Sequence, residues 1–130
     1  MEQIELLRLA TEARANAYAP YSGYRVGAAL LAEDGRVFCG CNVENASYTP
    51  TCCAERVAIL KAVSEGCRRF TAIAVVGGKD DADASCVPCG VCRQVLAEFC
   101  GDGLEIMGVS SDGEVTVRTL GALLPDRFAL

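Results

Sequence analysis

Two short runs in the 130-residue chain carry side chains that can act together on one ion: Cys53-Ala54-Glu55 and Pro88-Cys89-Gly90-Val91-Cys92. If each run opens a helix, Cys89 and Cys92 fall on the same side, one turn apart, and both sulfurs can reach one metal. Cys53 supplies a third sulfur from the other helix. Three protein ligands leave one corner of a tetrahedron open, the arrangement of a catalytic zinc; a structural zinc is closed by four. Helix N-termini lower thiol pKa values and so favour the thiolate that a metal requires. Glu55, two residues beyond Cys53, sits on a different azimuth of the same turn, where it can contact the open corner. A carboxylate there can take the proton that the metal makes acidic. Such a positioned transfer typically contributes ~10²–10⁴ in rate.

The rest of the composition narrows the chemistry. Histidine is absent, so Ser-His and Cys-His nucleophile pairs are excluded within the chain. Acid–base work at neutral pH falls to a carboxylate, a lysine, a tyrosine, a thiol or metal-bound water. The nine cysteines are odd in number, and the start of the chain, Met1-Glu-Gln-Ile-Glu, is acidic and helix-like rather than signal-like. Both features argue for reduced thiols and a cytoplasmic protein rather than a disulfide framework. Cys67, Cys86 and Cys100 read as packing residues or exposed thiols, and Cys52 is left off the site because it points away from its neighbour Cys53. Twelve basic against 17 acidic residues give a net charge of −5. With no basic run beyond Arg68-Arg69, a nucleic-acid polymer is disfavoured as a partner. The mean hydropathy is +0.26 and hydrophobic residues make up 52%. No apolar run approaches the roughly 20 residues needed to cross a bilayer, so the apolar surplus is expected to meet other subunits rather than lipid.

The length suits one domain spanning 1–130, and its elements are expected to bring the two runs together. Helical spacing of Leu6, Ala10, Ala13 and Ala17 predicts a helix over 4–17, ended by Pro20. Strands are predicted over 25–32 and 36–41, joined by an Asp34-Gly35 turn. A loop over 42–51 leads to a helix over 54–66, so apolar that it should be buried on most sides. A fully apolar strand follows over 71–76, then a loop over 77–87. Pro88 is expected to open a third helix that Gly101 closes. Short strands over 104–109 and 114–118 flank Asp112-Gly113, before a short C-terminal helix. This order predicts an α/β fold, a three-layer α-β-α sandwich with a mixed five-stranded sheet. The N-termini of the two middle helices should lie close together at one edge of that sheet.

The two runs match the signature of the zinc deaminases, His-x-Glu…Pro-Cys-x-x-Cys, in its three-cysteine form. From Ala19-Pro20-Tyr21-Ser22 through Arg93-Gln94-Val95 to Leu123-Leu124-Pro125 the chain resembles the small homotetrameric cytidine deaminases. The resemblance implies hydrolytic deamination of free cytidine and 2′-deoxycytidine to uridine and 2′-deoxyuridine plus ammonia, in pyrimidine salvage. It implies one zinc per subunit on Cys53, Cys89 and Cys92, with zinc-bound hydroxide attacking C4 and Glu55 shuttling the proton. Arg56 would hydrogen-bond the ligand sulfurs, offsetting with the helix dipoles the net −1 charge of three thiolates on a dication. Asn42 and Glu44 would hold the ribose 3′-hydroxyl, and the Ala54 backbone the pyrimidine carbonyl. Tyr24 stands where the family has a phenylalanine against the base, adding a hydroxyl that needs a partner. Ala46, Tyr48 and Phe128 resemble residues donated by neighbouring subunits, giving a homotetramer with shared active sites.

Other readings stay open on sequence alone. A related enzyme could act on another aminopyrimidine nucleoside such as blasticidin S. In a different class, Cys39 and Cys41 could close a structural Cys₄ zinc with Cys89 and Cys92, in an interaction module. Phe128 could be a core plug, and Arg93 a solvent-facing residue or a support of the site.

Overall fold

The period-2 alternation of the central strands decides which face each helix covers. In the computed structural model, which describes residues 1–79 and 86–130, β1 (Tyr24–Ala32) sends Ala28 and Leu30 to one face and Ala29 to the other. Strand β3 (Phe70–Lys79) divides likewise, with Ile73 and Val75 opposite Ala72, Ala74 and Val76. Helix α1 (Gln3–Arg14) packs Leu6, Leu7 and Ala10 on the second face. Helices α2 (Ala54–Ser64) and α3 (Gly90–Phe99) cover the first, through Ala54, Ala58, Ile59 and Leu96. The result is the expected three-layer sandwich.

Strand β2 (Val37–Cys41) forms a hairpin with β1 across Gly35, whose φ is +94°. Strands β4 (Glu105–Val109) and β5 (Val115–Thr119) flank the turn at Gly113, and α4 (Leu120–Leu123) follows. The five strands lie in the order β2-β1-β3-β4-β5. β1 is antiparallel to both β2 and β3, β3 is parallel to β4, and β4 is antiparallel to β5. Because β2 and β3 run the same way, α2 and α3 start from the same edge of the sheet. Among the described residues no helix is long and apolar enough to cross a membrane.

Most boundaries shift by a residue or two from the sequence reading, and three of the shifts have a visible cause. Helix α1 stops at Arg14 rather than residue 17. The chain turns there because Tyr18 bonds across to the loop after β2, its N–H to the Asn42 carbonyl and its carbonyl to the Glu44 N–H. Strand β3 continues to Lys79 through Gly77 and Gly78, which pair with Val26 and Arg25. Residues 80–85 of the expected loop lie outside the described residues. Helix α3 begins at Gly90, so Cys89 is its extended N-cap (φ −67°, ψ 170°) and Pro88 precedes it. Helix α2, expected to be buried on most sides, leaves Leu60 half exposed.

One glycine fixes the distance from α2 to the sheet. A Cβ on Gly40 would lie 2.5 Å from the Ala54 carbonyl oxygen and 2.7 Å from the Ala58 nitrogen, backbone atoms that cannot turn aside. Gly40→Ala is therefore expected to destabilise the fold by about 1–3 kcal/mol through overpacking. Urea denaturation checks this; an unchanged midpoint would show that α2 is free to shift.

Candidate active site

Helices α2 and α3 each begin with a cysteine where a capping serine or aspartate would be usual. Cys53 caps α2 in an extended conformation (φ −71°, ψ 155°), Cys89 caps α3, and neither side chain makes a capping hydrogen bond. Both sulfurs are thus left facing the space between two helix N-termini, where partial positive charge favours anions. Cys92, one turn into α3, points there from the core and is fully buried. The Cys53 and Cys89 sulfurs are 3.8 Å apart, and all three sulfurs lie within 4.8 Å of one another. A tetrahedral zinc with Zn–S bonds of about 2.3 Å separates its sulfurs by about 3.8 Å. The three sulfurs fit one zinc ion.

The charges around the sulfurs agree with that donor set. The Cys92 thiol and the Arg56 guanidinium hydrogen-bond to Cys53 and, against burial, draw its pKa down, so its thiolate is favoured. Cys92 keeps its proton because Cys53 accepts it, and a bound dication would release that proton. Arg56 places one guanidinium nitrogen 3.5 Å from the Cys53 sulfur and 3.3 Å from the Thr51 carbonyl oxygen. Its Nε is buried without a partner. Arg56→Ala is expected to keep the fold but weaken zinc binding about 10–100-fold, as loss of a ligand's supporting partner does. Competition with a chromogenic chelator measures this, and full retention of affinity and activity would refute the role.

Glu55 is 4% exposed. Burial pushes its carboxyl up to about 7, with the Cys53 sulfur adding to the effect and Arg56 opposing it. A group poised near neutrality can both take and give a proton. It faces a cleft of about 250 Å³ whose lining also includes Cys53, Cys89, Ala54, Asn42, Glu44 and Tyr24. Seven of the residues expected in the site therefore share this one cleft.

Asn42 is held by the start of β1, and Glu44 by the turn that precedes it. The Asn42 side-chain oxygen accepts from Val26 N (2.8 Å), and its amide donates to the Tyr24 carbonyl (2.7 Å). Glu44 accepts from the backbone N–H groups of Tyr21 and Ser22 (3.0 and 3.1 Å) and from the Ser22 hydroxyl. These bonds, the hydroxyl's first, hold its carboxyl below the usual range. Both side chains keep unused hydrogen-bonding capacity.

Ala46, Tyr48 and Phe128 lie outside the cleft and are exposed, Tyr48 by 74% and Phe128 by 68%. Tyr48, with a φ of 62°, lines an adjoining hollow that shares Glu44 and Thr51 with the cleft. Phe128 is thus no core plug. Arg93 is not solvent-facing: it donates to the carbonyls of Pro88 (2.7 Å) and Leu123 (2.8 Å), tying the start of α3 to α4. Among the described residues Cys39 and Cys41 do not join the sulfur cluster, so the closed Cys₄ arrangement is not formed. Cys52 is not in the cluster either; its backbone pairs with Val43. Cys67 and Cys100 are buried as packing residues.

Val26, Thr51, Cys86 and Val87 also line the cleft and were not singled out from the sequence. Cys86, read as a packing residue or an exposed thiol, does pack against the core cluster. Its thiol faces the Tyr24 hydroxyl closely enough for each to bear on the other's ionisation. Burial pushes Cys86 up to about 11 and also raises Tyr24.

Known proteins share this fold and much of this sequence. A family model described as the cytidine and deoxycytidylate deaminase zinc-binding region matches residues 1–106. A cytidine deaminase of Sporosarcina psychrophila is 46% identical over 129 residues, covering 99% of this chain and 93% of that protein. A cytidine deaminase of Mycobacterium tuberculosis is 50% identical over 121 residues, covering 93% and 85%. The crystal structure of cytidine deaminase from Burkholderia pseudomallei superimposes with a TM-score of 0.90 at 48% identity, covering 98% of this chain and all of the other. With a zinc-sized trio of sulfurs at two helix starts and a buried glutamate beside them, the chain belongs to the cytidine and deoxycytidylate deaminase family.

Proposed function

We propose that this chain is a single-domain hydrolase that deaminates free cytidine and 2′-deoxycytidine to uridine and 2′-deoxyuridine, releasing ammonia. Cys53, Cys89 and Cys92 hold one zinc per subunit. Bound there, zinc supplies Lewis acidity toward a water molecule. Glu55 takes a proton from that water and delivers it to N3 of the pyrimidine as oxygen bonds to C4. The carboxylate so restored then takes the proton of the new C4 hydroxyl and passes it to the amine; the C4–N bond breaks as the C4 carbonyl forms, ammonia leaves, and Glu55 is again a carboxylate. The observation that carries this reading is a glutamate 4% exposed at a cleft shared with two of the three clustered sulfurs.

The remaining groups select and orient. Asn42 and Glu44 hold the ribose 3′-hydroxyl, with their placement by β1 and the Tyr21-Ser22 turn supporting that role. The Ala54 backbone, at the first turn of α2, holds the pyrimidine carbonyl, and the Tyr24 ring lies against the base. Arg56 holds the Cys53 sulfur in place. Ala46, Tyr48 and Phe128, exposed in the isolated chain, complete the pockets of neighbouring subunits in a homotetramer. The enzyme serves pyrimidine salvage in the cytoplasm and takes nucleosides rather than nucleic-acid polymers. The test is the ultraviolet change as cytidine becomes uridine, with cytosine, CMP and blasticidin S as competitors. Turnover of cytidine, with no competition from the free base, supports the reading; no turnover by the zinc-loaded protein overturns it.

A further inference from the structure

The hydroxyl that distinguishes Tyr24 from phenylalanine needs a partner, and the wall of the cleft provides one in a residue outside both chemistry-bearing runs. Tyr24 and Val26 are two apart on β1 and share a face. Val26 lies opposite Gly77 in the antiparallel pairing. A Cβ on Gly77 would stand 3.0 Å from Val26 Cγ2 and 3.2 Å from the Cys86 sulfur. The bare backbone of Gly77 therefore makes the seat into which the Cys86 side chain fits. Cys86 packs against the core cluster on its inner side and lines the cleft on its outer side, together with Tyr24.

We propose that Cys86 is a positioning residue: its thiol, seated over Gly77, holds the Tyr24 hydroxyl and so sets the Tyr24 ring at the wall of the substrate cleft. This rests on the deaminase reading only for what the ring touches; the thiol–hydroxyl contact itself stands apart from it. A thiol can accept from a phenol and also donate weakly, so it satisfies the hydroxyl without placing a charge in the cleft. Without it, the Tyr24 hydroxyl must find water or turn toward the bound base, and the ring moves with it.

The experiment is a double-mutant cycle on the zinc-loaded enzyme, after wild-type turnover of cytidine has been measured. Cys86→Ala is expected to raise KM about fivefold, the value of one ordinary hydrogen bond, with kcat within about twofold. Cys86→Ser, which restores a partner for the hydroxyl, should recover most of the loss. In a Tyr24→Phe background, Cys86→Ala should shift KM no further. An equal shift in both backgrounds, a serine variant as impaired as alanine, or no KM change in Cys86→Ala overturns the proposal. A second readout needs no substrate: the Tyr24 ring ¹H–¹³C resonance, assigned through Tyr24→Phe, should move in Cys86→Ala and return in Cys86→Ser. An unmoved resonance overturns the proposal even where cytidine is turned over. A moved and restored resonance supports the contact even if cytidine proves not to be the substrate.

Discussion

Glu55→Gln is expected to yield a folded protein that still binds one zinc per subunit but turns over cytidine about 10²–10⁴-fold more slowly, the usual contribution of a positioned proton-transfer group. Glutamine fills nearly the same volume, so the first turn of α2 and the contact of Ala54 with β2 are kept. It is also neutral, and so removes the burial penalty that pushes the Glu55 carboxyl up to about 7. The fold should lose nothing. What the amide cannot do is take a proton and return it. Metal analysis, circular dichroism and the ultraviolet assay separate the outcomes. Turnover within tenfold of wild type would remove Glu55 from the proton path, and loss of zinc would make it a ligand instead.

Cys92→Ala should abolish both zinc binding and activity, and with them the stabilisation that zinc gives. Cys92 is the sulfur of the cluster that is rooted in the core, fully buried, so no solvent-borne group can easily replace it. Two sulfurs at two helix caps remain, too few to hold a catalytic zinc. A ligand bound only by the native state stabilises it by ~4 kcal/mol when present at a thousandfold its Kd. Wild-type protein should therefore melt at a clearly lower temperature with a chelator added, and the variant should melt at the same temperature with or without it. As the contrast, Cys39→Ser with Cys41→Ser should retain zinc and the chelator response. Stoichiometric zinc in Cys92→Ala, or its loss from the serine pair, would redraw the site.

The chemistry was the most legible part of the chain because it is written locally. Cys53-Ala54-Glu55 and the Cys89–Cys92 pair each occupy a helix start, and the order of elements with right-handed crossovers placed those starts at one sheet edge. The layers were equally readable, since the order of elements and a continuously apolar β3 imply a sheet covered on both faces. What could not be read depends on partners distant in sequence. Gly77 and Gly78 look like loop residues until β1, reaching back to Tyr24, offers them a ladder. Helix α1 ends where Tyr18 meets the loop after β2, a contact that no helical spacing encodes. Pro88 looked like a helical first residue, yet the structure makes Cys89 the cap and so turns its sulfur outward. Cys86, read as a packing residue or an exposed thiol, does pack against the core; its place in the cleft wall was not legible, because it depends on the missing side chain of Gly77, nine residues away. Arg93 stayed open between a solvent-facing and a supporting place for a similar reason, as its acceptors are the Pro88 carbonyl, five residues back, and the Leu123 carbonyl, thirty residues on.

The helix that backs the sheet on its far side supplies none of the clustered sulfurs and no residue that lines the cleft. Its cluster with Ala29, Ala72, Ala74, Val76 and Met107 contains none of the residues assigned to the reaction. Robustness and catalysis are in that sense written on opposite sides of one sheet. An engineer seeking a hardier enzyme has a whole layer to rework, by filling space beside its small alanines or improving the surface of α1, while leaving the reacting groups in place.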